Sequence, residues 1–266
     1  MPVTIRSMLH VLCAIPLLAL PSASTGAAEC PGNPAALGTA RVLPVDPATA
    51  MPVGRKHFPQ TLPLAPKELV LTFDDGPWPG TTERVLAALR RECVRATFFI
   101  LGRNAAAHPA LARRVLAEGH TVGHHTYGHP LLNRMSLARA EAEIDHGFAA
   151  VDTALYGTAT GKPRTPFFRF PGFAGSADLL AILARRRIVV FGADLWPGDW
   201  NPMTPDQERE LLLKRLEVTK GGIVLLHDTQ AKTAAMLPGL LRELKRRDYR
   251  VVHVVAAHAV ARTPPR

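Results

Sequence analysis

The sequence has few cysteines, few aromatic residues and no long apolar run. Among its 266 residues there are three cysteines, and Phe, Trp and Tyr together make up 6%. No apolar run reaches the roughly 20 residues that a membrane-spanning helix needs, which excludes a polytopic membrane protein. The hydrophobic fraction of 47% excludes disorder as the dominant state, because disordered chains combine low hydrophobicity with high net charge.

Several motifs of common enzyme and binding classes are also missing. The chain contains no Gly-x-Ser-x-Gly nucleophile motif, no phosphate-binding Gly-x-x-x-x-Gly-Lys loop and no dinucleotide-binding glycine pattern. The formal net charge of +10 would suit a nucleic-acid binder, but basic and aromatic residues are not interleaved. The basic runs at 185–187 and 245–247 end predicted helices, where cations complement the helix dipole. We therefore interpret the charge as solvated surface, with attraction to an anionic envelope as a second interpretation.

Residues 1–28 have the layout of a secretory signal peptide. Arg6 supplies positive charge, an apolar stretch over 8–20 follows, and small residues continue to Ala28. A buried N-terminal helix is the alternative, but Pro16 argues against it. We predict cleavage after Ala28 and export to the periplasm or the medium, with no membrane span in the mature protein.

Cys30 and Cys93 are the two cysteines that would remain after cleavage. In an oxidising compartment they can form a disulfide that ties the N-terminal segment to the body of the protein. Two unpaired thiols are the alternative. Neither cysteine has the spacing of a zinc finger or a redox motif. Both alternatives stay open from the sequence.

The rest of the chain divides into an arm and a domain. Residues 29–66 carry eight prolines and predict an extended arm that crosses the surface. Over 67–258, short apolar runs alternate with amphipathic stretches. The predicted strands are 69–73, 96–100, 120–123, 167–170, 188–192, 222–226 and 249–255. The predicted helices are 81–92, 108–118, 136–155, 176–185, 204–219 and 233–246. This alternation predicts parallel strands, in a barrel or an open sheet, with catalytic residues at the strands' carboxyl ends.

The most informative strand ends carry paired carboxylates and paired histidines. Asp74 and Asp75 follow the first predicted strand; one could ligate a cation while the other takes a proton, and two capping aspartates are the alternative. His125 and His129 stand four residues apart, so one helical turn would place both imidazoles on one face. That spacing suits a zinc site with a carboxylate as third ligand. His124 and His120 are competing candidates for that site.

Single residues after three other strands suggest supporting roles. Arg169 could hold a carboxylate bidentately, with a surface arginine as the alternative. His227, just past an apolar strand, is placed for general acid work or for capping the next helix. Trp196 and Trp200 suit a wall that faces sugar rings, with core anchors as the alternative. We interpret the isolated histidines, His57 among them, as surface or core residues.

The set and order of these segments resemble a known family. Residues 72–77, 125–130, 169–171, 199–200 and 225–227 resemble the five ordered motifs of the polysaccharide deacetylases, the NodB-homology enzymes of carbohydrate esterase family four. The resemblance covers about residues 68–255. It implies an α/β fold, a distorted (β/α) barrel of about seven parallel strands with outer helices, as the catalytic domain over 67–258.

The resemblance also implies a role for each motif residue. It implies three metal ligands, Asp75, His125 and His129. Asp74 is the implied general base, and Arg169 is its orienting partner. His227 is the implied general acid, and Asp199 tunes it. The implied cofactor is Zn²⁺, although a histidine–carboxylate set also accepts Co²⁺ or Ni²⁺.

The remaining implied residues line the substrate pocket. Trp200 and Leu225 would surround the acetyl methyl group, and the Gly172 amide would face the developing oxyanion. The chain departs from the family pattern at Gly172, where an aromatic residue is usual, so Phe173 is the expected replacement for that wall. The segment 194–200 is also longer than the common form, which leaves the role of Asp194 open.

The resemblance therefore implies a zinc-dependent hydrolase that removes N-acetyl groups from N-acetylglucosamine-type polysaccharide or oligosaccharide. Peptidoglycan, chitin-like polymer and exopolysaccharide fit equally. The alternatives are an O-acetyl esterase on xylan-like polymers, a hydrolase of another non-peptide C–N bond and, third, a non-catalytic carbohydrate-binding protein. The expected partner is the acetylated glycan, not nucleic acid. The sequence carries no signal of oligomeric state.

Overall fold

The structure is a computed structural model that describes residues 30–257. The strands are β1 (Thr39–Val45), β2 (Glu68–Asp74), β3 (Thr97–Ile100), β4 (Thr121–His124), β5 (Phe167–Phe168), β6 (Val189–Val190), β7 (Gly222–His227) and β8 (Arg250–Ala256). The α-helices are α1 (Thr82–Arg91), α2 (Gly102–Ala107), α3 (Pro109–Ala117), α4 (Leu137–Tyr156), α5 (Ala177–Arg185), α6 (Pro205–Thr219) and α7 (Ala231–Arg246). The predicted signal peptide at 1–28 lies outside the described residues. Within 30–257, no helix is both long and apolar enough to cross a membrane.

The strands form a mostly parallel, distorted barrel. Their order is β1-β8-β2-β3-β4-β5-β6, and β7 pairs with β2. Between β6 and β7, the described residues make a single bridge, from Leu195 to Val224, in place of a ladder. Every residue of β2 is buried, as expected for a parallel strand covered on both faces. The predicted α/β fold is confirmed, and the seven predicted strands are all present, although β5 and β6 are shorter than predicted.

Alternate residues of the strands belong to two different apolar clusters. On β2, Leu69, Leu71 and Phe73 pack towards the surrounding helices. Val70 packs in the other cluster, together with Phe167 of β5 and Ile223 of β7. Because side chains alternate along a strand, this second cluster marks the barrel interior. The same alternation decides which side chains at the strand ends face inwards.

The proline-rich arm contributes a strand that the sequence pattern did not predict. β1 pairs with β8 along its length and forms the edge of the sheet. Pro44 lies within β1, and an edge strand tolerates proline because one row of its N–H groups needs no partner. Further along the arm, Val53 forms a bridge with Phe191, just after β6. The arm is therefore built into the sheet at two places, and does more than cross the surface.

A disulfide and neighbouring hydrogen bonds fasten the start of the arm. Cys30 and Cys93 are disulfide-bonded with their Cα atoms 5.6 Å apart, so the first of the two alternatives is the one observed. Next to it, the Asn33 amide donates to the Arg91 carbonyl at 3.0 Å. The backbone N–H of Leu37 donates to a Glu92 carboxylate oxygen at 3.0 Å. These contacts attach the arm to the end of α1.

Candidate active site

Strand alternation places three polar side chains at one end of the barrel. Asp74 lies on the same face of β2 as the interior residue Val70. Arg169 follows the interior Phe167 by two residues, and His227 follows the interior Ile223 by four. All three stand at carboxyl ends of parallel strands, which meet at the same edge of the sheet. Because all three side chains belong to the interior face of the barrel, they meet at one site.

The two adjacent aspartates separate because the backbone turns sharply between them. Asp74 is the last residue of β2 and is buried. Asp75 has a φ of 75°, in the left-handed region, and is followed by a cis Gly76–Pro77 bond. The Asn104 amide donates to the Asp75 carbonyl at 2.7 Å and holds this turn. The two carboxylates consequently serve different partners.

His125 and His129 are brought together by a loop. The predicted helical turn is wrong, because β4 ends at His124 and the following residues are irregular. Thr126 and His129 both have positive φ values, 69° and 68°, which fold the loop back on itself. The two imidazole rings have centroids 5.1 Å apart. The competing candidate His124 packs instead against the ring of Phe148, with centroids 4.7 Å apart.

Asp75, His125 and His129 form a cluster that fits a cation. Their potential ligand atoms all lie within 4.8 Å of one another. Asp75 Oδ1 is 3.5 Å from Nε2 of His125 and 3.4 Å from Nε2 of His129. This buried oxygen has no hydrogen-bond partner among the described residues, a costly state that a bound cation would relieve. Two imidazoles and a carboxylate are a donor set that zinc accepts.

His125 has the protonation and orientation that a metal ligand needs. Its Nδ1 lies 2.7 Å from the Arg169 carbonyl, which accepts a hydrogen bond from the ring N–H and leaves the lone pair on Nε2 free. Burial is the main cause that lowers its pKa to about 3, so the ring is neutral at physiological pH. The backbone of one predicted site residue thus orients another.

Arg169 is buried and holds Asp74. Its Nη1 donates to Asp74 Oδ1 at 2.7 Å and to the Thr72 hydroxyl at 2.8 Å. Nη2 donates to the Gly192 carbonyl at 2.8 Å, and the guanidinium carbon lies 4.3 Å from the centre of the Phe99 ring. Burial raises the pKa of the Asp74 carboxyl, and the charge of Arg169 acts in the opposite direction. Asp74 is therefore fixed in one orientation, with Oδ2 3.8 Å from Nε2 of His125.

His227 is held by a fully buried carboxylate. Asp199 accepts from the His227 backbone N–H at 2.7 Å and lies 2.9 Å from its Nδ1. Burial alone would lower the pKa of His227, but the hydrogen bond and charge of Asp199 outweigh it and raise that pKa to about 9. The ring is therefore charged at neutral pH. Its Nε2 lies 3.9 Å from Asp75 Oδ2.

The predicted pocket residues differ in their exposure and in the neighbours that they contact. Leu225 is buried, two residues before His227 and on the same face of β7. Trp200 is 51% exposed, and its ring meets that of His227 edge-on at 5.8 Å. Gly172 has a φ of 54° in a short turn after Arg169, and it is exposed. Phe173, in the same turn, stacks on the imidazole of His57 at 3.7 Å.

Asp194, whose role the sequence left open, anchors the arm. Its Oδ1 accepts from the Arg55 backbone N–H at 2.7 Å. Its Oδ2 accepts from the Thr61 hydroxyl at 2.6 Å and from the Ile223 N–H at 2.7 Å. Asp194 therefore joins the arm to β7 and lies outside the cation cluster. The sequence held no signal for this contact, because the partners are more than 130 residues apart.

Two further buried carboxylates, not singled out from the sequence as site residues, lie behind the site. Asp228 accepts a hydrogen bond from the Thr82 hydroxyl, and burial raises its pKa to about 7. Glu208 lies 2.8 Å from the hydroxyl of Thr233, and burial raises its pKa to about 7 as well. The Thr233 hydroxyl also lies 3.1 Å from Asp199. Glu208 and Thr233 therefore extend the polar network of the Asp199–His227 pair, whereas Asp228 is held separately by Thr82.

The fold and this site define a distorted (β/α) barrel with a candidate cation centre at the carboxyl ends of its strands. Residues 62–189 match the family model described as polysaccharide deacetylase. A chitooligosaccharide deacetylase of Bradyrhizobium is 35% identical over 61% of this chain and 71% of its own length. The chain belongs to the polysaccharide deacetylase family.

Peptidoglycan deacetylases are also similar to this chain. The peptidoglycan-N-acetylglucosamine deacetylase PgdA of Listeria monocytogenes is 31% identical over 77% of this chain and 43% of its own length. The solved structure of the Bdellovibrio bacteriovorus peptidoglycan deacetylase Bd3279 superposes with a TM-score of 0.72 at 33% identity, over 82% of this chain and 59% of that one. The chain thus spans less than half the length of the curated peptidoglycan deacetylase it matches.

Proposed function

We propose that this protein is a metal-dependent hydrolase that removes N-acetyl groups from N-acetylglucosamine-type polysaccharide or oligosaccharide. The observation that carries the proposal is the arrangement around Asp75. A buried, arginine-held carboxylate and a charged histidine each lie within 4 Å of the cation cluster. Asp74 Oδ2 is 3.8 Å from Nε2 of His125, and Nε2 of His227 is 3.9 Å from Asp75 Oδ2. A base and an acid beside a metal centre suit amide hydrolysis.

In this proposal Asp75, His125 and His129 hold the metal, with zinc as the expected ion. When bound there, zinc polarises the acetyl carbonyl and makes a nearby water molecule more acidic. The neutral state of His125 and the unpartnered Oδ1 of Asp75 support this assignment.

Asp74 acts as the general base. It accepts a proton from the water whose oxygen attacks the acetyl carbon, and Arg169 keeps its carboxylate oriented for that transfer. The backbone N–H of Gly172 stabilises the oxygen of the carbonyl as negative charge develops on it. Leu225 and Trp200 provide apolar surface for the acetyl methyl group.

His227 acts as the general acid. Since its Nδ1 faces Asp199, the proton on Nε2 is the one available to the substrate. It passes to the amine nitrogen as the C–N bond breaks, which releases acetate and a free amino sugar. Asp199 is a positioning residue that keeps the ring charged and fixes its orientation.

The substrate class and location form the second part of the proposal. Relatives named as chitooligosaccharide and peptidoglycan deacetylases support an N-acetylated glycan as the partner. We assign the catalytic domain to 67–258, with residues 29–66 as its N-terminal arm. The signal-like residues 1–28 and the Cys30–Cys93 disulfide support export to the periplasm or the medium.

The test is acetate release by full-length protein that has been stripped of metal and then loaded with zinc. N-acetylglucosamine oligomers, peptidoglycan fragments and O-acetylated xylan serve as substrates. We expect zinc-dependent release from the N-acetylated glycans, and Asp74→Ala should reduce it by about 10² to 10⁴. Asp145→Ala, an exposed aspartate on α4, is the control that should retain activity. Release from xylan alone, or from none of these substrates despite bound zinc, would overturn the proposal.

A further inference from the structure

A row of aromatic rings runs from His227 to the N-terminal arm. The ring of Trp200 lies 5.8 Å from that of His227, and Trp196 lies 6.2 Å from Trp200, measured between centroids. Phe173 follows at 5.7 Å from Trp196, and His57 at 3.7 Å from Phe173. We call Trp200, Trp196, Phe173 and His57 the aromatic row. Its two ends, Trp200 and His57, are exposed, whereas Trp196 and Phe173 are partly buried.

The inner part of the row is ordered. Phe173 and Trp196 are inclined to one another by 28°, and His57 is inclined to each of them by 22°. These three nearly parallel rings, with centroids within 6 Å of one another, form one stacked cluster of which the His57 ring is the exposed member. Partial loss of solvent around the stacked ring is the main cause that lowers the pKa of His57, and Arg169 acts in the same direction, so its ring is neutral at physiological pH. A neutral imidazole offers a flat face without a charge to solvate.

The backbone of the arm holds His57 in this position. The Lys56 N–H donates to the Ala193 carbonyl at 3.1 Å, and the His57 N–H donates to the Gly54 carbonyl at 3.0 Å. Gly54 has a φ of 115°, and a Cβ there would come within 2.5 Å of the Ala193 nitrogen, so the arm needs glycine for this close approach. Asp194 fastens both sides of the same loop. The loop position is therefore fixed by the backbone.

The arm does not need the exposed ring of His57 to cover the barrel interior. Val53 and Leu62 of the arm are buried and already close the interior beside β6. His57 lies between them in sequence but remains exposed and stacks on Phe173. Exposed apolar surface that continues from a catalytic centre is typical of a ligand-binding site. Flat rings offer such surface to the apolar faces of pyranose rings.

We propose that the aromatic row is an extended glycan subsite, in which the arm residue His57 contacts a sugar unit distant from the reacting N-acetyl group. This inference rests on the proposed deacetylase function and specifies its substrate class, an N-acetylated glycan of several units. In this proposal a dimer occupies the catalytic centre, and only longer oligomers also reach His57. His57 thus determines chain-length specificity and takes no part in the chemical step.

The first test compares kcat/KM for N-acetylglucosamine oligomers from dimer to hexamer, with zinc-loaded full-length protein. Wild type should become more efficient as the oligomer lengthens. His57→Ala should raise KM for the hexamer about 3- to 10-fold, the range expected for one aromatic contact. It should leave kcat for the hexamer and kcat/KM for the dimer unchanged. His57→Phe keeps a flat ring and should retain hexamer KM. Gln60→Ala, an exposed change on the same loop, is the matched control.

A second test measures binding without turnover. Hexamer is titrated into Asp74→Asn protein, with and without His57→Ala, and tryptophan fluorescence reports occupancy beside Trp196 and Trp200. The affinity should fall by the same 3- to 10-fold factor when His57 is removed. Hexamer kinetics and affinity that are insensitive to His57→Ala would overturn the subsite and leave the deacetylase function intact. Binding that depends on His57 in a protein that releases no acetate would support the subsite and overturn the function.

Discussion

Removing the guanidinium of Arg169 should destabilise the protein mainly through Asp74. Both side chains are almost completely buried, and they form an ion pair at 2.7 Å. Arg169→Met keeps the length of the side chain but leaves a buried carboxylate without its counter-charge. Breaking a buried ion pair by removing one partner costs about 3–5 kcal/mol. We expect a loss of that size in the free energy of unfolding, measured by urea denaturation of metal-free protein at pH 7.

A second substitution separates lost charge from lost packing. Asp74→Asn in the Arg169→Met background removes the unpaired charge while it keeps the shape of the side chain. The double variant should therefore recover about 2 kcal/mol relative to Arg169→Met alone, because the two sites are coupled. Two results would refute this reasoning. One is a loss below about 1 kcal/mol for Arg169→Met, and the other is a double variant that is no more stable than the single one.

Three other predictions concern the acid, the metal and the disulfide. A general acid works only while protonated, so activity should persist up to the His227 pKa of about 9 and fall above it. Asp199→Asn removes the partner that raises this pKa and should move the alkaline limb of the kcat–pH profile below about pH 7; a limb that stays near pH 9 would contradict the assignment. His129→Ala should abolish stoichiometric zinc binding, measured by equilibrium dialysis with metal analysis, whereas retained zinc would remove His129 from the ligand set. Cys93→Ser should lower the free energy of unfolding by about 2–4 kcal/mol in urea, because it opens a covalent loop, and dithiothreitol should have no further effect on that variant.

Local sequence signals predicted the parts of the fold that depend on local chemistry. The helix predicted over 204–219 is α6, and its start is set by a capping box. There the Thr204 hydroxyl accepts from the Gln207 N–H, and the Gln207 side chain accepts from the Thr204 N–H. The buried strands β2 and β7 were predictable from their apolar runs, because burial requires consecutive apolar residues along each strand. A short-range pattern is sufficient wherever neighbours in sequence are also the interacting groups.

Features that depend on distant partners were not predictable in the same way. β1 carries Pro44 and is a strand only because β8 lies beside it. The spacing of His125 and His129 predicted that the two rings lie close together, and they do. Two residues with positive φ, however, bring the rings together, and not the predicted helical turn. His57 had no local pattern at all, since its neighbour Phe173 is over a hundred residues away. In each case the deciding contact is tertiary.

The pairing of β1 with β8 has a consequence for how the chain acquires its fold. These are the first and last strands of the described chain, so the outer part of the sheet joins segments about 200 residues apart. Loops of that length close slowly, and proteins rich in such contacts fold slowly. During synthesis, β1 has to remain unpaired until its partner is made. A truncation that removes β8 would leave β1 without the strand it pairs with, so the loss of a late segment disrupts an early one.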